Sequence, residues 1–308
     1  GWADAATIIP WQHYMAYGDK SILEQQWDSM KAWVDYVISQ SPGYLWNTGW
    51  HYGDWLFYSV NNDNAGNSAV TYTPLVQQCF FANSATIMSK AAQVLGKSND
   101  AAYYADVARK AKEAFCQNYL TPAGMLVSST QTAYVLALNF DMLPENMRAK
   151  AAAHLAANVE KYGHITTGFL GTPYICHVLT ENGYNDLAYK LLLREQYPGW
   201  LYPVTMGATT IWERWNSMMP DRTIPDNGMN SFNHYAFGSV GEFYYRYILG
   251  IRPLEPGFAR VLIAPVPDPR LKHAKGSYKS RAGMIRSAWK YKEDGIVFDI
   301  PVPAPAEI

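Results

Sequence analysis

Cysteine is scarce in this chain, and its spacing argues against two classes of site. Cys79, Cys116 and Cys176 are the only three cysteines, they lie far apart, and no CxxC pair occurs. A disulfide framework or a cysteine-based zinc site needs closer and more regular spacing. We therefore expect three buried free thiols and no metal centre, and no residue pattern indicates a cofactor.

Charged residues are also few, and the two signs balance. The 25 basic and 26 acidic side chains give a formal net charge of -1, and charged residues make up 17% of the chain. Nucleic acids favour a basic binding face, because phosphate contacts dominate the affinity. The composition therefore argues against nucleic acid as a partner. No apolar run approaches the roughly 18 residues of a membrane span.

The sequence motifs of several large enzyme classes are missing. There is no P-loop, GxGxxG, HExxH or GxSxG, so nucleotide enzymes, zinc proteases and serine hydrolases of those types are not indicated. The chain also begins at Gly1-Trp2-Ala3-Asp4 without an initiator methionine or a signal peptide. We interpret it as truncated, and its compartment is not predicted.

Aromatic residues, in contrast, are abundant. The chain contains 11 Trp and 23 Tyr, and aromatic residues make up 15% of it. Tyr and Trp combine a flat apolar face with a polar edge, which matches the C–H patches and hydroxyls of sugars. A large core that uses aromatic residues is an equally good explanation of the composition alone.

Residues 1 to about 250 are predicted to form about ten helices with short connections. Asp4 is expected to cap a helix that ends at Gly18, and Ser21 with Glu24 forms a capping pattern for the next helix. Residues 41–73 are predicted as a long functional loop. Further helices are predicted at 74–96, 99–119, 129–141, 145–161, 168–182, 185–196, 208–217 and 231–249.

The predicted helices alternate in character. The segment 129–141 carries almost no charge, whereas 99–119 and 145–161 carry Lys, Arg and Glu on one face. Helices that are apolar all round are buried, and amphipathic helices lie outside them. We therefore predict a mainly α fold, an α/α toroid over residues 1–250. Its ten helices would form an incomplete ring of twelve.

After Gly250 the sequence changes from a helical to a β pattern. Several prolines interrupt helices there, and short runs with β propensity occur at 260–264, 287–291 and 295–300. The residues 292–295 between the last two runs form a hairpin turn signal. Residues 251–308 are therefore predicted as a small β-sandwich or the truncated remnant of one.

Glu213 is the sharpest candidate for a catalytic residue. It lies between Trp212 and Trp215, in a segment that also contains Thr209, Thr210 and Asn216. A carboxylate between indole rings could activate a water molecule in a dry site. An ion pair with Arg214 or another arginine is the structural alternative.

Further candidates combine a polar group with neighbouring aromatic residues. His234 could donate to a sugar hydroxyl or to Glu213, and packing is its alternative. Asp4 and Asp54 could contact substrate, but each stands where a helix cap is expected. Trp2 and Trp55 are candidate sugar platforms, with core packing as the alternative, and Trp212 is a further candidate for contact with substrate.

Five segments in order resemble the bacterial α-L-rhamnosidases of glycoside hydrolase family 78. The resemblance covers nearly the whole chain, and the five segments together are more specific than any one of them. They are Gly1-Trp2-Ala3-Asp4-Ala5-Ala6, Tyr52-Gly53-Asp54-Trp55-Leu56, Thr166-Thr167-Gly168-Phe169-Leu170-Gly171-Thr172-Pro173-Tyr174, Gly207-Ala208-Thr209-Thr210-Ile211-Trp212-Glu213-Arg214-Trp215 and Met229-Asn230-Ser231-Phe232-Asn233-His234-Tyr235-Ala236-Phe237-Gly238.

The resemblance implies an (α/α)6 barrel, a C-terminal β-sandwich and metal-independent hydrolysis of terminal α-L-rhamnose with inversion. Glu213 matches the general base of the family, His234 matches a histidine that touches rhamnose, and Trp2 and Trp55 match tryptophans of the sugar pocket. The general acid of the family lies upstream of the matching part and is expected to be absent here. Because inverting hydrolysis needs both carboxyl groups, we expect little activity from the 308 residues alone.

Two other functions remain open at this point. One is another (α/α)6 glycoside hydrolase, acting for example on glucuronides or glucosides. The other is a non-catalytic carbohydrate-binding protein. In each case the expected partner is a carbohydrate, with rhamnose-containing glycosides, oligosaccharides or polysaccharides as the leading class.

Overall fold

The computed structural model of the chain describes residues 1–58, 70–225 and 229–301. Contacts divide the chain into two units whose segments alternate along the sequence. Unit 1 contains Gly1–Trp2, Val37–Asn83 and Val107–Val240, and unit 2 contains Ala3–Tyr36, Ser84–Asp106 and Gly241–Ile308. The predicted domain boundary near residue 250 stays a prediction.

Helices dominate the first 250 residues, as the sequence predicts. Short 3-10 turns occur at Pro42–Tyr44, Ala236–Val240 and Pro256–Phe258. The helices are α1 (Ala5–Tyr17), α2 (Ser21–Ser39), α3 (Thr73–Val94), α4 (Ser98–Tyr119), α5 (Gln131–Asn139), α6 (Glu145–Tyr162), α7 (Ile175–Glu181), α8 (Asn185–Leu192), α9 (Leu201–Thr205) and α10 (Gly241–Phe243), which continues into a π-helical turn at Tyr244–Ile248.

The contrast between buried and amphipathic helices is confirmed. In α5 every residue from Gln131 to Leu138 is buried, and Thr130 caps the helix by accepting a hydrogen bond from the backbone N–H of Ala133. In α6 only a stripe is buried, and the helix ends at Gly163 with φ +69°, a left-handed conformation that glycine adopts without strain. Two other parts of unit 1 bond to the N-terminus of α5, through Thr71 and Asp54.

Three helix predictions need correction. No helix forms at 208–217, and the predictions at 168–182 and 231–249 begin several residues too early. Side-chain oxygens bond to the backbone in the first of these segments: Thr210 Oγ1 donates to Phe232 O at 2.5 Å, and Ser217 Oγ accepts from Arg214 N. The bond of Ser217 is local and competes with helical bonds, whereas that of Thr210 ties the segment to Phe232, 22 residues further along the chain. The loop prediction for 41–73 agrees with the structure where residues are described, and its part 59–69 lies outside them.

The residues after Gly250, within unit 2, form two small antiparallel sheets. One pairs β1 (Ile251–Pro253) with β2 (Val261–Ile263), and the other has the order β3 (His273–Ser280), β4 (Gly283–Lys292) and β5 (Gly295–Asp299). The predicted hairpin is confirmed, since Lys292 pairs with Gly295. The two sheets share one apolar core of Leu249, Ile251, Phe258, Val261, Ile263 and Ile285. Sequence analysis missed β1 and β3.

Candidate active site

Glu213 is held by two irregular segments of unit 1 that lie side by side. Its backbone N–H donates to Ser231 O at 2.8 Å, and the N–H of His234 donates to Ile211 O at 2.9 Å. The guanidinium of Arg214 bonds to Met229 O. Backbone pairing of 210–214 with 229–234 therefore explains why a loop, rather than a helix, presents this carboxylate.

The carboxylate of Glu213 is nearly buried but has no protein partner. The residue is 9% exposed, and its side chain makes no hydrogen bond or ion pair within the described ranges. Buried carboxylates are normally paired, because desolvation disfavours an isolated charge. The ion pair with Arg214, which was the structural alternative, is not formed between the described atoms. Glu213 is thus free to act on a water molecule or a ligand.

Aromatic packing supports the segment that carries Glu213. Trp215 stacks on Phe237 with a centroid distance of 3.9 Å and an interplanar angle of 16°, and its indole N–H donates to Thr167 O. Trp212 is 5% exposed and packs edge-on against Phe232 at 5.3 Å. The burial of Trp212 does not support its predicted contact with substrate. Its ring instead packs inside the protein and supports the segment 210–214.

His234 presents one free ring nitrogen. Its Nδ1 accepts a hydrogen bond from Ala236 N at 3.2 Å, which places the proton of the neutral ring on Nε2. Nε2 makes no contact of this kind with the described part of the chain. The ring lies 5.2 Å from that of Phe169. A half-buried imidazole with an unused N–H is able to donate to a hydroxyl group of a ligand.

A continuous series of ring contacts joins His234 to Trp2 and Trp55. Phe169 lies 6.1 Å from Trp2, Trp2 lies 5.5 Å from Tyr52, and Tyr52 lies 5.6 Å from Trp55. Trp2 is 38% exposed, with its indole N–H directed to Gly53 O at 3.3 Å. Three residues predicted as site residues are therefore brought together in unit 1, on one aromatic surface.

Tyr52 and Phe169, which link this aromatic surface, were not predicted as site residues from the sequence. Both stand inside segments that carry the family resemblance, but neither was proposed as a site residue. An aromatic residue beside glycine was the available signal. It is a weak one, because the chain has so many aromatic residues and because only the fold shows which rings meet.

Asp54 is fully engaged with the protein. Its Oδ1 accepts from the backbone N–H groups of Leu170 at 2.8 Å and Gly171 at 3.2 Å, and its Oδ2 accepts from Gly168 N at 2.8 Å and from Thr132 Oγ1. Burial raises the pKa of Asp54, and these donors oppose the shift. The carboxylate holds the loop 168–171, which carries Phe169. These bonds support a positioning role for Asp54, and its contact with substrate stays a prediction.

Asp4 lies in unit 2 and is completely buried. Its Oδ1 accepts hydrogen bonds from Ser84 Oγ at 2.6 Å and from the indole N–H of Trp33 at 3.1 Å. The predicted start of α1 after Asp4 and its end before Gly18 are confirmed, but the side chain of Asp4 makes no capping bond. These contacts support an internal structural role and do not support the predicted contact with substrate.

A substitution at Gly168 tests how tightly the loop that carries Phe169 is packed. A Cβ atom at this position would lie 2.2 Å from Trp55 O and 2.7 Å from Asp54 O. We expect Gly168→Ala to lower the free energy of unfolding by about 3 kcal/mol, because backbone atoms must move apart. Urea unfolding measures this loss. Gly241→Ala is the control, since no atom lies within 4 Å of its added Cβ, and a similar loss in both variants would contradict the prediction.

Family models match the chain from end to end. The model for the bacterial alpha-L-rhamnosidase 6 hairpin glycosidase domain matches residues 1–248, and the model for the bacterial alpha-L-rhamnosidase C-terminal domain matches residues 250–308. The chain belongs to the bacterial alpha-L-rhamnosidase family. This confirms the resemblance and the mainly helical fold class with a small β domain.

Individual rhamnosidases agree with this assignment. An alpha-L-rhamnosidase of Streptomyces avermitilis is 40% identical over 98% of this chain, and one of Formosa agariphila is also 40% identical over 98% of it. The solved structure of a Streptomyces avermitilis alpha-L-rhamnosidase complexed with L-rhamnose covers 97% of the chain with a TM-score of 0.91 and 39% identity. The chain spans 28% of the Streptomyces protein and 33% of the Formosa protein.

Two further findings concern metals and membranes in this rhamnosidase family member. The described residues contain no group of three or more His, Cys, Asp or Glu side chains placed to hold a metal ion. In the same residues, no helix combines the length and the apolar character that crossing a membrane requires. The three cysteines are free, as predicted, although Cys116 is only half-buried.

Proposed function

We propose that the protein containing this chain hydrolyses terminal α-L-rhamnosides with Glu213 as the general base. The observation that carries the proposal is the carboxylate of Glu213, which is 9% exposed and has no partner among the described residues. The names of the relatives support the substrate class, since those proteins are called alpha-L-rhamnosidases.

The proposed reaction inverts the anomeric centre in one displacement. Glu213 takes a proton from a water molecule, whose oxygen attacks C1 of rhamnose while the bond from C1 to the leaving oxygen breaks. A general acid protonates the leaving oxygen, so that β-L-rhamnose and a free hydroxyl group are the products. The proposal assigns this acid to no residue of the chain, because the carboxylate of Asp54, the other acidic site candidate in unit 1, is occupied by four protein donors.

The aromatic surface and His234 provide the binding part of the proposal. Trp2 and Trp55 offer rings to the C–H face of the sugar, and the Nε2–H of His234 donates to a ring hydroxyl. Rhamnose carries a methyl group in place of a hydroxymethyl group, which suits a wall that is largely aromatic. Asp54 contributes by holding the loop of Phe169, and the rings of Trp2 and His234 pack on Phe169.

A proton NMR time course tests the reaction and its stereochemistry together. The complete natural protein is incubated with an aryl α-L-rhamnoside, and the anomeric signals of the released sugar are followed before mutarotation. We expect β-L-rhamnose to form first and aryl β-D-glucoside and β-D-glucuronide to remain intact. Initial release of the α-anomer, or faster hydrolysis of another glycoside in the panel, would contradict the proposal.

His234→Ala is expected to lower kcat/KM for the aryl rhamnoside by about 30-fold. The loss corresponds to about 2 kcal/mol for one hydrogen bond to a substrate hydroxyl in a partly buried site. Steady-state kinetics measure it, and the melting temperature should fall by only about 2–4 °C, because the ring accepts one hydrogen bond, from Ala236 N. His13→Ala, on the exposed side of α1, is the matched control. Equal kinetics for both variants would assign His234 to packing alone.

A further inference from the structure

A cavity in unit 1 is lined in part by Leu45 and Asn47, which precede Tyr52 and Trp55 in the same loop. Its volume is about 720 Å³, which is within the range of about 300–1,000 Å³ for small-molecule sites. Four segments line it: 45–47, 70–73, 118–119 and 127–128. None of the residues assigned above to catalysis or to the aromatic surface belongs to this lining.

The lining of this cavity is uncharged. Its ten residues include no Asp, Glu, Lys, Arg or His, and its polar groups are hydroxyls and amides. Asn118 uses its amide N–H to bond Ala114 O at 2.8 Å, which leaves its amide oxygen for a ligand. A neutral molecule rich in hydroxyl groups matches this lining, whereas a carboxylate or phosphate would lose its hydration without gaining an opposite charge.

Tyr72 gives the cavity an aromatic surface. Its side chain is 50% exposed, its ring lies edge-on to Tyr119 at 6.0 Å, and its backbone N–H donates to Ser128 Oγ at 2.8 Å. The ring is thus supported by a second ring and by the backbone while half of the side chain stays accessible. An accessible, supported tyrosine ring is a surface on which the C–H face of a sugar can pack.

The cavity and the candidate active site share the first turn of α5. The hydroxyl of Thr71, in the cavity lining, lies 2.6 Å from that of Thr130, the N-cap of the helix. Thr132, two residues further on, donates to Asp54. Two residues correspond to a rise of about 3 Å along a helix. Both sites therefore lie at the same end of α5.

We propose that this cavity binds the leaving-group part of the substrate and selects neutral glycans over charged ones. The inference rests on the proposed function, because an enzyme that removes a terminal sugar must hold the rest of the substrate on the leaving-group side. The uncharged lining sets the preference for neutral sugars, and Tyr72 supplies most of the contact surface.

Kinetics on two substrates test the inference in the complete natural protein. One substrate is an aryl α-L-rhamnoside with a single-ring leaving group, and the other is an α-L-rhamnosyl cellooligosaccharide. We expect Tyr72→Ala to lower the ratio of kcat/KM for the oligosaccharide to that for the aryl substrate by about tenfold, chiefly through KM. Tyr36→Ala, which removes a ring of similar exposure on α2, should leave this ratio unchanged. An unchanged ratio in Tyr72→Ala would overturn the inference.

Calorimetric titration of Glu213→Gln with sugars that lack rhamnose separates this inference from the proposed function. Cellobiose should bind at least tenfold more tightly than a galacturonic acid disaccharide, and Tyr72→Ala should weaken cellobiose binding about tenfold. Equal binding of the two disaccharides would refute the selection of neutral glycans. If the natural protein hydrolyses neither rhamnoside, the proposed function fails and the leaving-group assignment fails with it, whereas Tyr72-dependent cellobiose binding would still establish a neutral glycan site.

Discussion

Replacing Glu213 by glutamine is expected to lower kcat for rhamnoside hydrolysis by roughly 10³-fold, because an amide cannot accept the proton of the attacking water. KM should change little, since the amide keeps the shape of the side chain. The free energy of unfolding should not fall, because the carboxylate makes no bond to the described residues. Steady-state kinetics and urea unfolding on the complete natural protein measure the two effects.

Two controls sharpen this experiment: a substitution of another glutamate, and rescue of Glu213→Ala by azide. Glu242 forms an exposed ion pair with Arg246 at 2.9 Å, so Glu242→Gln removes a carboxylate without altering the proposed site, and such pairs contribute little stability. In Glu213→Ala, azide should restore turnover and give β-L-rhamnosyl azide, because azide attacks C1 without a base. Loss of less than about tenfold in Glu213→Gln would assign the base to another group. Rescue to the α-azide would contradict inversion, because retained configuration requires a covalent intermediate on a second carboxylate.

The sequence around Glu213 predicts a functional site between two indoles, but it predicts the wrong local backbone structure. The indole residues on both sides of it predict a site, and the structure places Trp212 and Trp215 as its support. The same apolar pattern predicts a helix at 208–217, which does not form. Backbone pairing of 210–214 with 229–234 overrides the local helix propensity of the first segment. A single sequence contains no signal for contacts between these two segments.

The sequence predicts a helix well when its apolar pattern is long and when residues typical of helix ends flank it. Asp4 and Gly18 bound α1 as expected, and the uncharged segment around α5 is buried as expected. The strands β1 and β3 were missed, because β1 is three residues long and ends in Pro253, and β3 has the polar sequence His273–Ser280. Their pairing partners, rather than their own propensities, make them strands.

The role of Asp54 could not be predicted, because its partners come from two distant segments of the chain. Sequence analysis offers a cap or a ligand contact for an aspartate that follows Gly53. The structure instead surrounds its carboxylate with Thr132 and three backbone N–H groups from 168–171. Since this loop presents Phe169 to Trp2 and His234, stability and site geometry depend on the same carboxylate.

Asp54→Ala is therefore expected to lower the free energy of unfolding by about 4 kcal/mol, since four donors, three of them buried, lose their acceptor. Asp54→Asn should cost about 2 kcal/mol, because either orientation of the amide places an N–H group against at least one backbone N–H. Urea unfolding gives both values, and kcat/KM should fall in both variants as the loop of Phe169 shifts. Thr132→Val provides the partner for a double-mutant cycle, in which the loss from Thr132→Val should be smaller in the Asp54→Ala background. Additive losses would contradict the coupling between Asp54 and Thr132. An Asp54→Ala variant with normal stability and reduced binding of rhamnose would show instead that Asp54 contacts the sugar directly.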